Sequence, residues 1–124
     1  MVAESNYFGY HLMLDCSDCD MARMSSRANI YNFVKKLVTN IDMVAVGEPI
    51  IEFLAADDPS KAGYSLMQLI VTSSITGHFM DRDRHIYLDV FSCKPFEIGA
   101  VEDTVKEYFS ANKIRVNFLT RHAG

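Results

Sequence analysis

Apolar and polar positions alternate along most of this chain, and the period lengthens to that of a helix only twice. Tyr7 to Cys16 is rich in aromatic and apolar residues and stops at Ser17-Asp18, which predicts a first strand. Ile30, Phe33, Val34 and Leu37 then recur at i, i+3, i+4 and i+7, one apolar stripe of a helix capped by Ser25 or Ser26 and running to Thr39. Met43 to Leu54 reads as a strand or two, broken at Gly47-Glu48-Pro49. Pro49 has no ladder donor to give, so a bend or a sheet edge is expected there. A loop follows from Ala55 to Gly63, with Asp57-Asp58-Pro59-Ser60 at its tip. Tyr64 to Ser73 is the next predicted strand, and Asp81-Arg82-Asp83-Arg84 a polar turn. His85 to Phe91 alternates, with Ile86, Leu88 and Val90 on one face. A second helix from Ala100 to Ala111 turns Val101, Val105, Tyr108 and Phe109 inward. Ile114, Val116 and Phe118 mark a last strand.

The order β-α-β-β-β-α-β suits an α+β two-layer sandwich, an antiparallel β-sheet with two helices on one face. At 124 residues the chain is one domain, and 49% apolar residues are enough to bury a core. A domain this small is helped by a partner subunit. The net charge of −4 gives no electrostatic reason to expect nucleic acid or an anionic membrane. No apolar run approaches the roughly 20 residues of a membrane span. Met1 to Asn6 has neither a basic region nor an apolar signal core, so a cytoplasmic location is expected.

Cys16, Cys19 and Cys93 are an odd number of thiols, which argues against a disulfide framework. Cys16-Ser17-Asp18-Cys19 has a C-x-x-C spacing, but no second ligand pair exists to complete a zinc site. Two ordinary thiols at a strand end is the plainer reading, and no metal is expected. Chemistry concentrates instead in Thr72-Ser73-Ser74-Ile75-Thr76-Gly77-His78 and Phe91-Ser92-Cys93. These place a hydroxyl, an imidazole and a thiol in one predicted hairpin, at one end of a sheet. Spacing alone does not separate such a cluster from structural residues. No G-x-S-x-G elbow surrounds Ser73, and the six glycines form no phosphate loop.

A longer pattern is more specific. Gly9-x-His11-Leu12, Cys19-Asp20, Gly63-x-Ser65, Ser73 with His78 five residues on, and Asp89-x-Phe91-x-Cys93 occur in that order. This resembles the small prokaryotic-type S-adenosylmethionine decarboxylase proenzymes over nearly the whole chain, most strongly from Gly63 to Cys93. The resemblance implies a cofactor made from the chain itself. The backbone is cut between Thr72 and Ser73, giving a β chain of residues 1–72 and an α chain of residues 73–124. Ser73 becomes a covalent pyruvoyl group, which forms a Schiff base with the substrate amine and accepts electrons as carbon dioxide leaves. It implies His78 as the base in self-cleavage, Ser65 as its assistant, and Cys93 as proton donor during decarboxylation. A free thiol, with a pKa of about 8.5, is mostly protonated at neutral pH and suits that role. The substrate implied is S-adenosylmethionine, whose product feeds spermidine synthesis, and the assembly implied is a dimer with active sites near the protomer interface.

The chain departs from the pattern at several positions. Thr72 stands where the family commonly has Glu, and Ser74 gives Ser73 a neighbouring hydroxyl. Met80 takes the position of an aromatic residue, and Arg82 that of an acidic one serving the ribose hydroxyls. Asp81 or Asp83 is the nearest carboxylate. The substrate-binding residues implied are Phe53, Ile75, Met80 and Asp81. These changes fall mainly on the substrate side. They leave a pyruvoyl-dependent arginine or ornithine decarboxylase, or an unprocessed non-catalytic binding subunit, as alternatives.

Overall fold

The computed structural model describes residues 8–124. Tyr7 and the segment Met1 to Asn6 lie outside the described residues. The elements run β1 (Gly9–Ser17), α1 (Met21–Met24), α2 (Arg27–Asn40), β2 (Ala45–Leu54), β3 (Gly63–Ile70), β4 (Ser73–Met80), β5 (His85–Ser92), α3 (Ile98–Phe109) and β6 (Lys113–Arg121). The six strands form one antiparallel sheet in the order β2-β3-β4-β5-β1-β6.

The expected two-layer architecture is present. Leu12, Leu14, Ile75, Phe79, Ile86, Leu88 and Val90 point from the sheet into a core shared with Ile30, Phe33, Val34 and Leu37 of α2 and Val101, Val105 and Phe109 of α3. Phe33 meets the Phe109 ring edge-on at 4.8 Å, and Phe79 meets it at 5.3 Å. Ser26 caps α2 by accepting the Asn29 amide at 3.1 Å, which decides between the two serines the sequence offered. Asp20 caps the extra short helix α1 in the same way.

One boundary differs from the sequence reading. Four strands, not three, separate the long helices, because β3 ends at Ile70 and a tight turn at Val71 and Thr72 reverses the chain. Ser73 therefore opens β4 instead of closing β3. The bend at Gly47-Glu48-Pro49 is a register shift between Val46 and Ile50, and β2 is an edge strand, as Pro49 requires. Gln68, almost fully buried, spans that bulge by donating from Nε2 to the carbonyls of Val46 and Gly47.

Among the described residues the second face of the sheet carries no helix. Val46, Ile50, Leu54, Met67, Leu69 and Leu119 are each about half exposed on it. Among the described residues no helix is long and apolar enough to cross a membrane.

Candidate active site

Strand register places the reactive residues in two groups. The first surrounds the turn between β3 and β4. Ser73 adopts φ = +154°, a backbone region that side-chain-bearing residues rarely occupy and that costs on the order of 1–3 kcal/mol. Such a residue persists only when its surroundings fix it, and here they do. The Cys93 amide donates to the Thr72 carbonyl at 3.0 Å, and the Val71 amide to the Val44 carbonyl at 2.9 Å. The Ser92 hydroxyl donates to Thr72 Oγ1 at 2.8 Å, and the Thr72 hydroxyl to Met43 Sδ at 3.3 Å. The Lys94 amide donates to Ser92 Oγ at 2.9 Å, and Lys94 Nζ to Asp42 Oδ2 at 3.0 Å. The carbonyl ahead of Ser73 thus already has a backbone donor where an oxyanion would form. The Cys93 side chain is exposed beside it.

The second group lies on the helix-free face. Ser65 and His78 sit opposite each other on β3 and β4, and Ser65 Oγ is 3.1 Å from His78 Nδ1. They border a cavity of about 360 Å³ lined also by Ile50, Glu52, Leu54, Met67 and Thr76. On the same face His11 Nε2 pairs with Asp89 Oδ1 at 3.0 Å, and the Arg121 guanidinium lies 5.1 Å over the Phe91 ring.

The two groups do not meet within one chain. Ser73 pairs with Ile70 and His78 with Ser65, five positions along β4, or about 16 Å at the rise of an extended strand. The expectation of hydroxyl, imidazole and thiol at one end of the sheet is thereby corrected. Ser73 and Cys93 share an end, whereas His78 and Ser65 lie well along the strands.

The remaining expected residues divide similarly. Phe53 is half exposed but pairs with Tyr64, its ring edge-on at 5.2 Å, in register with the helix-side residues Ile51 and Leu66. It therefore points to the opposite face from the Ser65–His78 cavity. Ile75 is fully buried in the helix-side core and paired on both edges, so it is a packing residue and the expected substrate contact is corrected. Met80 closes β4 opposite His85. Asp81 is not simply the solvated turn residue the charge pattern implies. Its Oδ1 is buried without a partner, and that burial pushes the carboxyl pKa up. Cys16 and Cys19 are buried free thiols, pushed up to about 12 and about 11 mainly by desolvation. Among the described residues no group of His, Cys, Asp or Glu is arranged to hold a metal ion.

Sequence reading missed Met43, Ser92 and the Cys93 amide. An amide has no sequence signal, and only the adjacency of Ser92 to Cys93 hinted at the hydroxyl.

A sequence profile described as S-adenosylmethionine decarboxylase matches residues 10–122. The chain belongs to the S-adenosylmethionine decarboxylase family. Among relatives of this family, the S-adenosylmethionine decarboxylase proenzyme of Clostridium botulinum (strain Langeland / NCTC 10281 / Type F) is 28% identical over 116 residues, covering 93% of this chain and 95% of that protein. The proenzyme of the Loch Maree / Type A3 strain is 26% identical over the same length and shares. The crystal structure of the adenosylmethionine decarboxylase from Aquifex aeolicus VF5 superposes with a TM-score of 0.81 over 97% of this chain and 95% of that one. At 15% identity that likeness speaks for the S-adenosylmethionine decarboxylase fold alone.

Proposed function

We propose that this chain is a pyruvoyl-dependent S-adenosylmethionine decarboxylase that makes its own cofactor by cutting itself between Thr72 and Ser73. The observation that carries the cut position is the turn itself: a strained Ser73 whose preceding carbonyl oxygen is held by the Cys93 amide. Ser73 Oγ attacks the Thr72 carbonyl carbon, the C–N bond breaks, and the hydroxyl proton passes to the freed amine. The Cys93 amide stabilises the charge that gathers on the oxygen during this step. A base then takes the Ser73 Cα proton and the Cβ–O bond breaks. The Thr72 carboxylate leaves and a dehydroalanine remains, which water converts to a pyruvoyl group and ammonia. No external oxidant is needed.

The residues present fit that group, since its carbon atoms are those of Ser73 and its neighbour is an exposed thiol. Once formed, the ketone supplies an electron sink for loss of the substrate carboxylate. Cys93, at the same end of the sheet, is the proton donor to the reacting carbon.

His78 is the base for elimination, and Ser65 orients it through the 3.1 Å contact. Because about 16 Å of strand separates His78 from Ser73 of its own chain, we assign this role to His78 of a second copy packed against the helix-free face. The half-exposed apolar residues Ile50, Met67, Leu69 and Leu119 on that face support such a dimer. The enzyme is then a homodimer with each active site drawn from both chains, and the cavity beside His78 takes the adenosyl and methionyl parts of the substrate. Intact-mass measurement of freshly purified protein tests the reading. Two fragments ending and beginning at the Thr72–Ser73 bond, the second carrying a carbonyl that borohydride reduces, are expected. A single unbroken chain without a carbonyl would overturn it.

A further inference from the structure

We infer that Ser92 and the Thr72 hydroxyl form a positioning clamp that sets the rate of the first step of self-cleavage. The inference deepens the proposed cut at Thr72–Ser73 and rests on it. The two hydroxyls cluster at the Met43 sulfur, which Ser92 Oγ also approaches at 3.7 Å. The Lys94 amide donates to Ser92 Oγ at 2.9 Å, Ser92 donates to Thr72 Oγ1 at 2.8 Å, and Thr72 donates to Met43 Sδ at 3.3 Å. Ser92 is completely buried and Met43 nearly so, so the cluster lies on the helix side of the sheet, away from the cavity beside His78.

The end of β5 therefore holds residue 72 at two points. The Cys93 amide takes its carbonyl oxygen and Ser92 takes its side chain. One hydrogen bond to a carbonyl leaves the peptide plane free to turn about that bond. The second, through Cβ, fixes the rotation of the carbonyl relative to Cα, and so which side of the carbonyl carbon faces Ser73 Oγ. Orientation of the attacked carbonyl is a large part of the barrier for an intramolecular acyl shift. A carboxylate side chain at position 72 has no hydroxyl proton to give the Met43 sulfur, so this arrangement is tied to Thr72 itself.

The clamp predicts a pattern across variants of the full chain, followed by intact mass from the moment of synthesis. Thr72→Val, which keeps the shape and removes the hydroxyl, and Ser92→Ala are each expected to slow cutting about tenfold, the worth of one oriented hydrogen bond. The double variant is expected to be no slower than the slower single one, because both remove the same contact. Thr72→Ser is expected to restore the rate to within about threefold. Hydroxylamine, which intercepts an ester once it exists, is expected to leave Thr72→Val and Ser92→Ala slow, since the clamp acts before the ester forms. Cutting of both single variants at the parent rate, multiplicative slowing in the double variant, or full rescue by hydroxylamine would each overturn the clamp. Failure of the parent chain to cut at Thr72–Ser73 would instead strike the reading beneath it. Should Thr72→Val not fold, Ser92→Ala with and without hydroxylamine decides alone.

Discussion

The backbone amide of Cys93 donates to the carbonyl oxygen of Thr72 at 3.0 Å, so one residue offers two separable functions. In the proposed mechanism the amide belongs to the cutting step and the thiol to decarboxylation. Cys93→Ala keeps the amide. It is expected to process to two fragments within a few-fold of the parent rate, yet to release carbon dioxide from S-adenosylmethionine at least about a hundredfold more slowly. A denaturing gel beside a labelled-carboxyl assay reads both. Equal loss of cutting and turnover would place the thiol in processing as well.

Separation of His78 from Ser73 along β4 yields a complementation test. On the proposed mechanism Ser73→Ala has no hydroxyl to cut with, and His78→Ala has no base. Each alone is expected to stay intact. Mixed and allowed to exchange subunits, they are expected to yield cut His78→Ala chains and uncut Ser73→Ala chains, distinguishable by mass. Absence of any cutting in the mixture would return His78 to its own chain.

The helix-free face should be sensitive to charge. Met67 and Leu69 are half exposed there, and their partners on β2, Ile50 and Val46, are half-exposed apolar residues too. A Met67→Glu/Leu69→Asp double variant is expected to sediment as a monomer and to remain uncut, with its far-ultraviolet circular dichroism unchanged. A dimer that survives both carboxylates would exclude this face as the interface.

Much of this architecture is legible in the pattern of side chains alone. The helix through Ile30, Phe33, Val34 and Leu37 and the alternation of Ile86, Leu88 and Val90 each present one apolar face, and those faces meet in the core. The turn at Val71 and Thr72 is not legible in this way. Neither residue is a turn former, and an apolar run says where a strand passes but not where it reverses. That single reversal moves Ser73 from the end of one strand to the start of the next. It also sets how far His78 lies from it. The cavity beside His78 is likewise hidden, because Ile50, Glu52, Leu54 and Thr76 become neighbours only through the ladder. Phe53 and Ile75 fall on the helix side for the same reason: a period of two assigns alternate residues to opposite faces, and register decides which.

Gly63 offers a stability test independent of catalysis. It has φ = +157°, and a Cβ built there would stand 1.7 Å from the Phe79 carbonyl oxygen. Backbone cannot give way as a flexible side chain can. Gly63→Ala is expected to cost about 3 kcal/mol or more, seen as a large fall in Tm. A melt within about two degrees of the parent would mean that β3 enters the sheet along another path.

The buried pair Cys16 and Cys19 predicts a pH dependence with a definite sign. Their folded pKa values, raised to about 12 and about 11, exceed the unfolded value, so the native state holds these protons more tightly. Their contribution is complete below the unfolded pKa and is lost as pH rises from there through the folded values. Stability is expected to fall on going from about pH 8 to about pH 10, on the order of 1 kcal/mol per thiol. A Cys16→Ala/Cys19→Ala variant, compared by urea denaturation at the two pH values, is expected to lose part of that slope. An unchanged slope would mean that the thiols do not report on folding.

The proposed break has a consequence for how such a molecule ages. Residues up to Thr72 supply β1, β2 and β3, and those from Ser73 supply β4, β5 and β6. In the order β2-β3-β4-β5-β1-β6, three of the five seams then join different polypeptides, and β1 is flanked by foreign strands on both sides. Before the cut, every seam closes within one continuous backbone. Afterwards, reassembly requires two molecules to find each other and interleave. Melting the mature protein at low concentration is therefore a one-way passage, whereas its precursor can return.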